Sequence, residues 1–169
     1  MEKSVTDSVK LVRRFELVMS RNVQGFKNSK MTDNEIHDFA FEQFELDRTA
    51  LHIICFNADL LLFEYFFPRL KSTLGARLKE LVNMKDGQGD TPLSLVCVSP
   101  MWDNVQVNEE SVADFHTRRY GIVKTLLSSG ADISLCIKCN VNTPLHWCMF
   151  YGDYNSGMAL YVKYPMAIF

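Results

Sequence analysis

No surplus of either charge marks this sequence: 18 lysines and arginines stand against 20 aspartates and glutamates, a formal net charge of −2 over 169 residues. Without a basic excess there is no electrostatic footprint for nucleic acid or for an anionic membrane surface. A long apolar run is also missing. The most hydrophobic stretch, residues 50–70, is interrupted by Asp59, Glu64 and Arg69. Charge in hydrocarbon is costly, so this stretch reads as two buried helices and no membrane insertion is expected. Met1-Glu2-Lys3-Ser4 carries no apolar signal core, and five cysteines, an odd number, do not make a disulfide framework. Both fit a reducing compartment, cytoplasmic or nuclear. Catalytic motifs are absent too, so the expectation is a non-enzymatic chain with no cofactor.

What remains is ordinary globular material, 47% apolar and 12% aromatic. A chain of this length can bury roughly 70% of its unfolded surface and needs neither metal nor disulfide to fold. Val5, Val9, Val12, Phe15 and Met19 recur at helical spacing, which predicts a first helix capped by Ser4, with Arg13, Arg14 and Glu16 on its wet side. A polar break follows from Ser20 to Lys30. Thr32-Asp33-Asn34-Glu35 then has the form of a capping box, flanked by Met31 and Ile36 as a hydrophobic staple. It predicts a second helix over 33–44, burying Ile36, Phe39, Ala40 and Phe44.

Beyond residue 45 the sequence repeats. Asp47-Arg48-Thr49-Ala50-Leu51-His52-Ile53-Ile54-Cys55, Gly89-Asp90-Thr91-Pro92-Leu93-Ser94-Leu95-Val96-Cys97 and Val141-Asn142-Thr143-Pro144-Leu145-His146-Trp147-Cys148 align on Thr and Leu. In each, the Thr hydroxyl can cap a helix, and proline suits its first position because that N–H has no intrahelical partner. Leu begins the buried face, and slim residues five and six places past the Thr let a neighbouring helix approach. Downstream, Ile122-Val123-Lys124-Thr125-Leu126-Leu127-Ser128-Ser129-Gly130-Ala131-Asp132 reads as a second helix stopped by a left-handed Gly130.

These residues resemble the ankyrin repeat, whose signature includes Thr-Pro-Leu-His-x-Ala. The resemblance covers about residues 44–169 and implies an all-α solenoid of stacked antiparallel helix pairs with short hairpin loops. Residues 1–45 then form a two-helix degenerate or capping unit, and the repeats run over about 46–85, 86–136 and 137–169. The spacing departs from the family: 42 residues separate Thr49 from Thr91 and 52 separate Thr91 from Thr143, against a period of about 33. Insertions are therefore expected near 71–81, where Leu74, Leu78 and Leu81 point to an extended or additional helix, and near 99–117, which holds Pro100, Met101, Trp102 and Glu109-Glu110 with Asp114 as a solvated helix start. A last helix is expected from Gly157 to Tyr164, ended by Pro165. The apolar Met166-Ala167-Ile168-Phe169 then fits either a segment of a longer protein or a tail folded onto the last helix pair.

Other constellations read as structure. Cys136-x-x-Cys139 with His146 and Cys148 has zinc-ligand residue types, but His146 and Cys148 belong to the repeat motif, turned into the stack and away from Cys136 and Cys139 on a hairpin finger, so no metal is expected. His52 and His146 have no partner motif for acid–base work. Asp86-Gly87-Gln88-Gly89-Asp90 lacks the Lys-Ser/Thr of a phosphate loop and the ligand spacing of a calcium loop, and serves as a turn. Phe63, Tyr65, Phe66 and Phe67 are core. Trp102, in a polar insertion, either pins that loop or anchors a contact.

The resemblance implies a concave binding palm for a protein partner, built from hairpin fingers and first-helix ends. Its contact positions fall on Glu45, Leu46, Arg48, Phe56 and Asn57; on Gly87, Gln88, Asp90, Val98 and Ser99; and on Cys139, Asn140, Asn142, Phe150 and Tyr151. Phe56, Val98, Phe150 and Tyr151 would form an apolar line outside the core, with Trp102 as an added anchor. The expected role is a protein-interaction module. Two alternatives stay open: a regulatory or substrate-recruiting part of a larger enzyme or membrane protein, and a small inhibitor of a transcription factor.

Overall fold

The computed structural model describes residues 5–99, 111–136 and 143–164. All described elements are helical, and no strand occurs among the described residues. The N-terminal part holds α1 (Val5–Met19), α2 (Val23–Asn28) and α3 (Asp33–Phe41). Then come α4 (Ala50–Phe56), α5 (Leu60–Leu74), α6 (Leu78–Val82), α7 (Pro92–Val98), α8 (Val112–Ser128), α9 (Pro144–Phe150) and α10 (Tyr154–Lys163). No described helix is long and apolar enough to cross a membrane.

The α1 face keeps Phe15 of the expected stripe and otherwise turns away from it. Phe15 and Val18 are buried and Leu11 packs against the core, while Val9, Val12 and Met19 are exposed. Two apolar stripes share Phe15 on this helix. The one carrying Leu11 and Val18 turns inward, and the Phe15 ring stacks on Phe44, centroids 3.3 Å apart. Arg14 leaves the wet side as well: its guanidinium donates to Glu35 Oε1 at 2.9 Å. Ser4, the expected cap, lies outside the described residues.

The polar break contains α2, which the periodicity missed because its six residues offer one anchor, Phe26. That ring is buried edge-on against Phe66 and near Phe39 and Tyr65. For α3 the Thr32–Glu35 capping box forms and both staple residues, Met31 and Ile36, are buried. The helix ends at Phe41 rather than Phe44, since Glu42 turns extended and frees Phe44 to meet Phe15.

Thr49, Thr91 and Thr143 begin α4, α7 and α9, each a seven-residue helix with the same reciprocal cap. The Thr hydroxyl accepts from the amide three residues on. In return the Thr amide donates to His52 Nδ1, Ser94 Oγ or His146 Nδ1, at 3.2, 2.9 and 3.2 Å. These helices pack in series, α4 on α7 and α7 on α9, while α5 meets α8 and α8 meets α10. Each first helix also packs on its successor, pairing α4 with α5, α7 with α8 and α9 with α10. Leu51, Ile54, Leu62, Phe66, Leu70, Leu93, Val96, Ile122, Val123, Leu126 and Leu160 fill the space between. Phe63 and Phe67 are buried too.

Around the first expected insertion, α5 runs to Leu74 and continues through a 3₁₀ turn, Gly75–Arg77, into α6. Leu74, Leu78 and Leu81 are all buried there. In the second, residues 112–121 lengthen α8 at its start, which Ser111 caps, its hydroxyl accepting from the Asp114 amide at 3.1 Å. Pro100, Met101, Trp102, Glu109 and Glu110 lie outside the described residues. The helix stops at Gly130, φ +92°, with Ala131 N–H donating to Leu126 O and Gly130 N–H to Leu127 O, a Schellman motif. The last helix starts at Tyr154, three residues earlier than expected, because Asp153 caps it by accepting from Ser156 N–H at 3.1 Å.

The cysteine placement needs correcting. Cys136 is not on an exposed finger but buried in a 3₁₀ turn, its sulfur 3.0 Å from Thr91 Oγ1. His146, expected inside the stack, is exposed, whereas its counterpart His52 is fully buried. The reason is positional: α7 and the Met84 loop cover His52, and no described helix lies beyond α9 and α10 in the series.

Candidate interaction surface

The first-repeat positions form a tied cluster. Arg48 Nε donates to Asp86 Oδ2 at 2.9 Å, and its guanidinium lies 5.0 Å from the centroid of the Phe56 ring. Asp86 Oδ1 accepts from the amides of Gln88 and Asp90, both at 2.9 Å, which closes the expected turn. Burial alone would raise the Asp86 pKa, but the Arg48 hydrogen bond and the two amides outweigh it and hold the carboxyl below its ordinary range. Gly87 N–H donates to Leu46 O at 2.7 Å, linking consecutive turns. A Cβ on Gly87 would meet that oxygen and Asp47 Oδ2 at 3.0 Å, so the close approach requires glycine.

Asp90 accepts from Ser94 Oγ at 3.1 Å, Gln88 is exposed, and Asn57 closes the C-terminus of α4. Glu45 and Leu46 are exposed on the connection before Thr49, and Ser99 is buried at the end of α7. Cys139, Asn140, Asn142 and Trp102 lie outside the described residues.

The apolar line is less uniform than its sequence positions imply. Phe56 and Val98 are half-buried and pack against the core. Phe150, at the equivalent seventh position of α9, is 76% exposed. Its ring meets Trp147 and Tyr151 edge-on at 6.0 and 5.2 Å, and Trp147 stacks on Tyr151 at 6.0 Å. Trp147 was not among the expected contact residues. Its relation to Phe150 and Tyr151, three and four positions on, is the signal that one helix face carries all three.

Tyr151 has a second role. Its ring lies 5.0 Å from the Arg119 guanidinium, which also lies over the Phe115 ring at 4.7 Å. Arg119 is fully buried, donates through Nη2 to Ser99 O at 2.8 Å, and lies 3.7 Å from Asp153 Oδ2. The neighbouring Arg118 donates to Ala58 O. The extended start of α8 is thus clipped to the turns that end α4, α7 and α9, and the aromatic trio stands on that clip.

Burial lowers the His52 pKa despite the opposing Met84 hydrogen bond, and burial pushes the thiols of Cys55 and Cys136 up, the latter to about 11. For Cys97 a hydrogen bond with Cys148, then burial, acts in the same direction. Such thiols stay protonated and unreactive. No group of His, Cys, Asp and Glu able to hold a metal ion occurs among the described residues.

Set against known proteins, the chain matches no family model and no curated sequence.

Proposed function

We propose that this chain is a non-enzymatic protein-interaction module of the ankyrin type, binding a protein partner along the edge formed by its finger turns and the ends of α4, α7 and α9. Two kinds of support stand behind the ankyrin likeness: the Thr-led motif itself, and the serial packing of three equally capped seven-residue helices, each paired with a following helix.

The exposure of Phe150 within the Trp147–Phe150–Tyr151 cluster carries the functional reading. An aromatic ring left in water at the end of a packed helix contributes little to the fold and supplies a large contact area at small entropic cost when covered. Arg48, Asn57, Gln88 and Asp90 supply the polar part of the same edge. Such a module acts in the cytoplasm or nucleus. Purification on tagged full-length chain, followed by hydroxyl-radical footprinting of the recovered complex, tests this. Protection of Trp147, Phe150 and Tyr151 is expected; protection confined to other helices would contradict it.

A further inference from the structure

A groove of about 640 Å³ opens between α1 and the connection from α3 to Thr49. Phe15, Phe44 and Ile53 contribute its well-packed apolar lining, and Val12, Met19 and Leu46 add side chains that are 52, 54 and 53% exposed. Three charged residues touch it. Arg48 is engaged by Asp86, whereas Glu16 and Glu45 are exposed, and neither has an ion pair among the described residues. The result is an apolar trough with two unneutralised carboxylates on it.

The backbone beside the groove is unusual. Leu46 and Asp47 both occupy the left-handed region, φ 59° and 54°. Side chains other than glycine rarely adopt this conformation, and it persists only where surrounding contacts enforce it, frequently at binding sites. The Gly87 amide donates to Leu46 O beside it, and Leu46 is presented to solvent at the groove rather than packed inside.

We infer that this groove docks a short amphipathic helix of a partner protein, apolar on its buried face and bearing lysine or arginine beside it, opposite Glu16 and Glu45. The inference rests on the interaction reading above and narrows it to a partner class. The complementarity of charge selects a basic segment. The distance along α1 from Val12 to Met19, two helical turns or about 10 Å, suits anchors at i, i+3, i+4 and i+7, the helix-in-groove mode of recognition. No strand edge exists among the described residues to favour an extended peptide.

Two fluorescein-labelled 15-residue peptides with the same leucines at i, i+3, i+4 and i+7, one flanked by lysines and one by glutamates, provide the test by anisotropy against the full chain. The lysine peptide is expected to bind saturably and at least tenfold tighter, with methyl shifts at Val12, Met19 and Leu46. The double substitution Glu16→Lys, Glu45→Lys should invert the preference, and Met19→Asp, at an exposed position, should weaken both peptides with the far-ultraviolet circular dichroism unchanged. Absence of saturable binding, a preference for the glutamate peptide, or a preference untouched by the charge reversal would overturn the proposal. Phe150→Asp separates it from the wider reading. If that variant keeps the lysine peptide and loses the captured partner, both stand. If it keeps both, the aromatic edge fails while the groove stands; if the partner is lost but the peptide never bound, the groove alone fails.

Discussion

The His52 Nε2 atom lies 3.0 Å from the carbonyl oxygen of Met84, 32 residues further along the chain. Because Nδ1 accepts from the Thr49 amide, Nε2 carries the proton and donates it to Met84. One neutral imidazole therefore closes the cap of α4 and fastens the loop before α7. His52→Ala leaves a buried amide and a carbonyl without partners, and a stability loss of about 1–3 kcal/mol for each orphaned group is expected, measured by urea unfolding. Since the folded pKa is below the ordinary 6.5, the unfolded chain takes up the proton first. The stabilisation is complete above pH 6.5 and is lost as pH falls below it; in His52→Gln the slope of stability in that window should diminish.

The three threonine caps should respond unequally. Thr91→Val removes the acceptor for the Ser94 amide and the contact with Cys136, and a loss of about 1 kcal/mol, within a range of roughly 0.5–2, is expected. Thr143→Val should cost less, because the Thr143–His146 cap is exposed and water replaces it. Equal losses in thermal unfolding would contradict the difference in burial.

Arg119 is the buried charge that binds α8 to the stack. Arg119→Met strands Asp153, and a loss of about 3–5 kcal/mol is expected. The double variant Arg119→Met, Asp153→Asn should recover part of that loss, since the orphaned carboxylate is gone while the amide oxygen still caps α10. A double variant no more stable than the single one would show that the pair is not coupled.

Glu35 gives a separate acid signature. Its Oε2 accepts from the Thr32 amide at 2.9 Å while Oε1 receives Arg14. The Thr32 amide first, then Arg14, bring its pKa down from 4.5 to about 2. Its folded value is depressed, so its contribution is complete above pH 4.5 and is lost as pH falls toward 2. Glu35→Gln should flatten the stability profile between those limits, as measured by urea midpoints.

How far the sequence discloses this architecture depends on where local chemistry decides. Thr32 with Glu35, the three Thr-led caps and Gly130 all act within a few residues, and each forms where the motif places it. The α1 face does so only at Phe15, because Val9–Val12–Phe15–Met19 and Leu11–Phe15–Val18 are both helical stripes that share this ring, and its stacking on the distant Phe44 belongs to the fold rather than to the local sequence. Phe26 gives α2 a single anchor and no period. Arg119 carries no local sequence signal of burial, because Tyr151 and Asp153 join Phe115 around it only in the fold. On the candidate surface, position in the repeat picked out Phe56, Val98 and Phe150 alike and could not distinguish the exposure of Phe150 from the half-burial of the other two, which depends on what packs beside each helix end.

The most direct measurement is the affinity of the purified partner for wild-type chain and for Phe150→Asp, by isothermal titration, with the melting temperature of both chains recorded alongside. A loss of at least tenfold in affinity with melting temperatures within about 2 °C is expected, since surface substitutions usually change stability by under about 0.5 kcal/mol. Unchanged affinity, or a collapse in melting temperature, would contradict the assignment of this ring to partner binding.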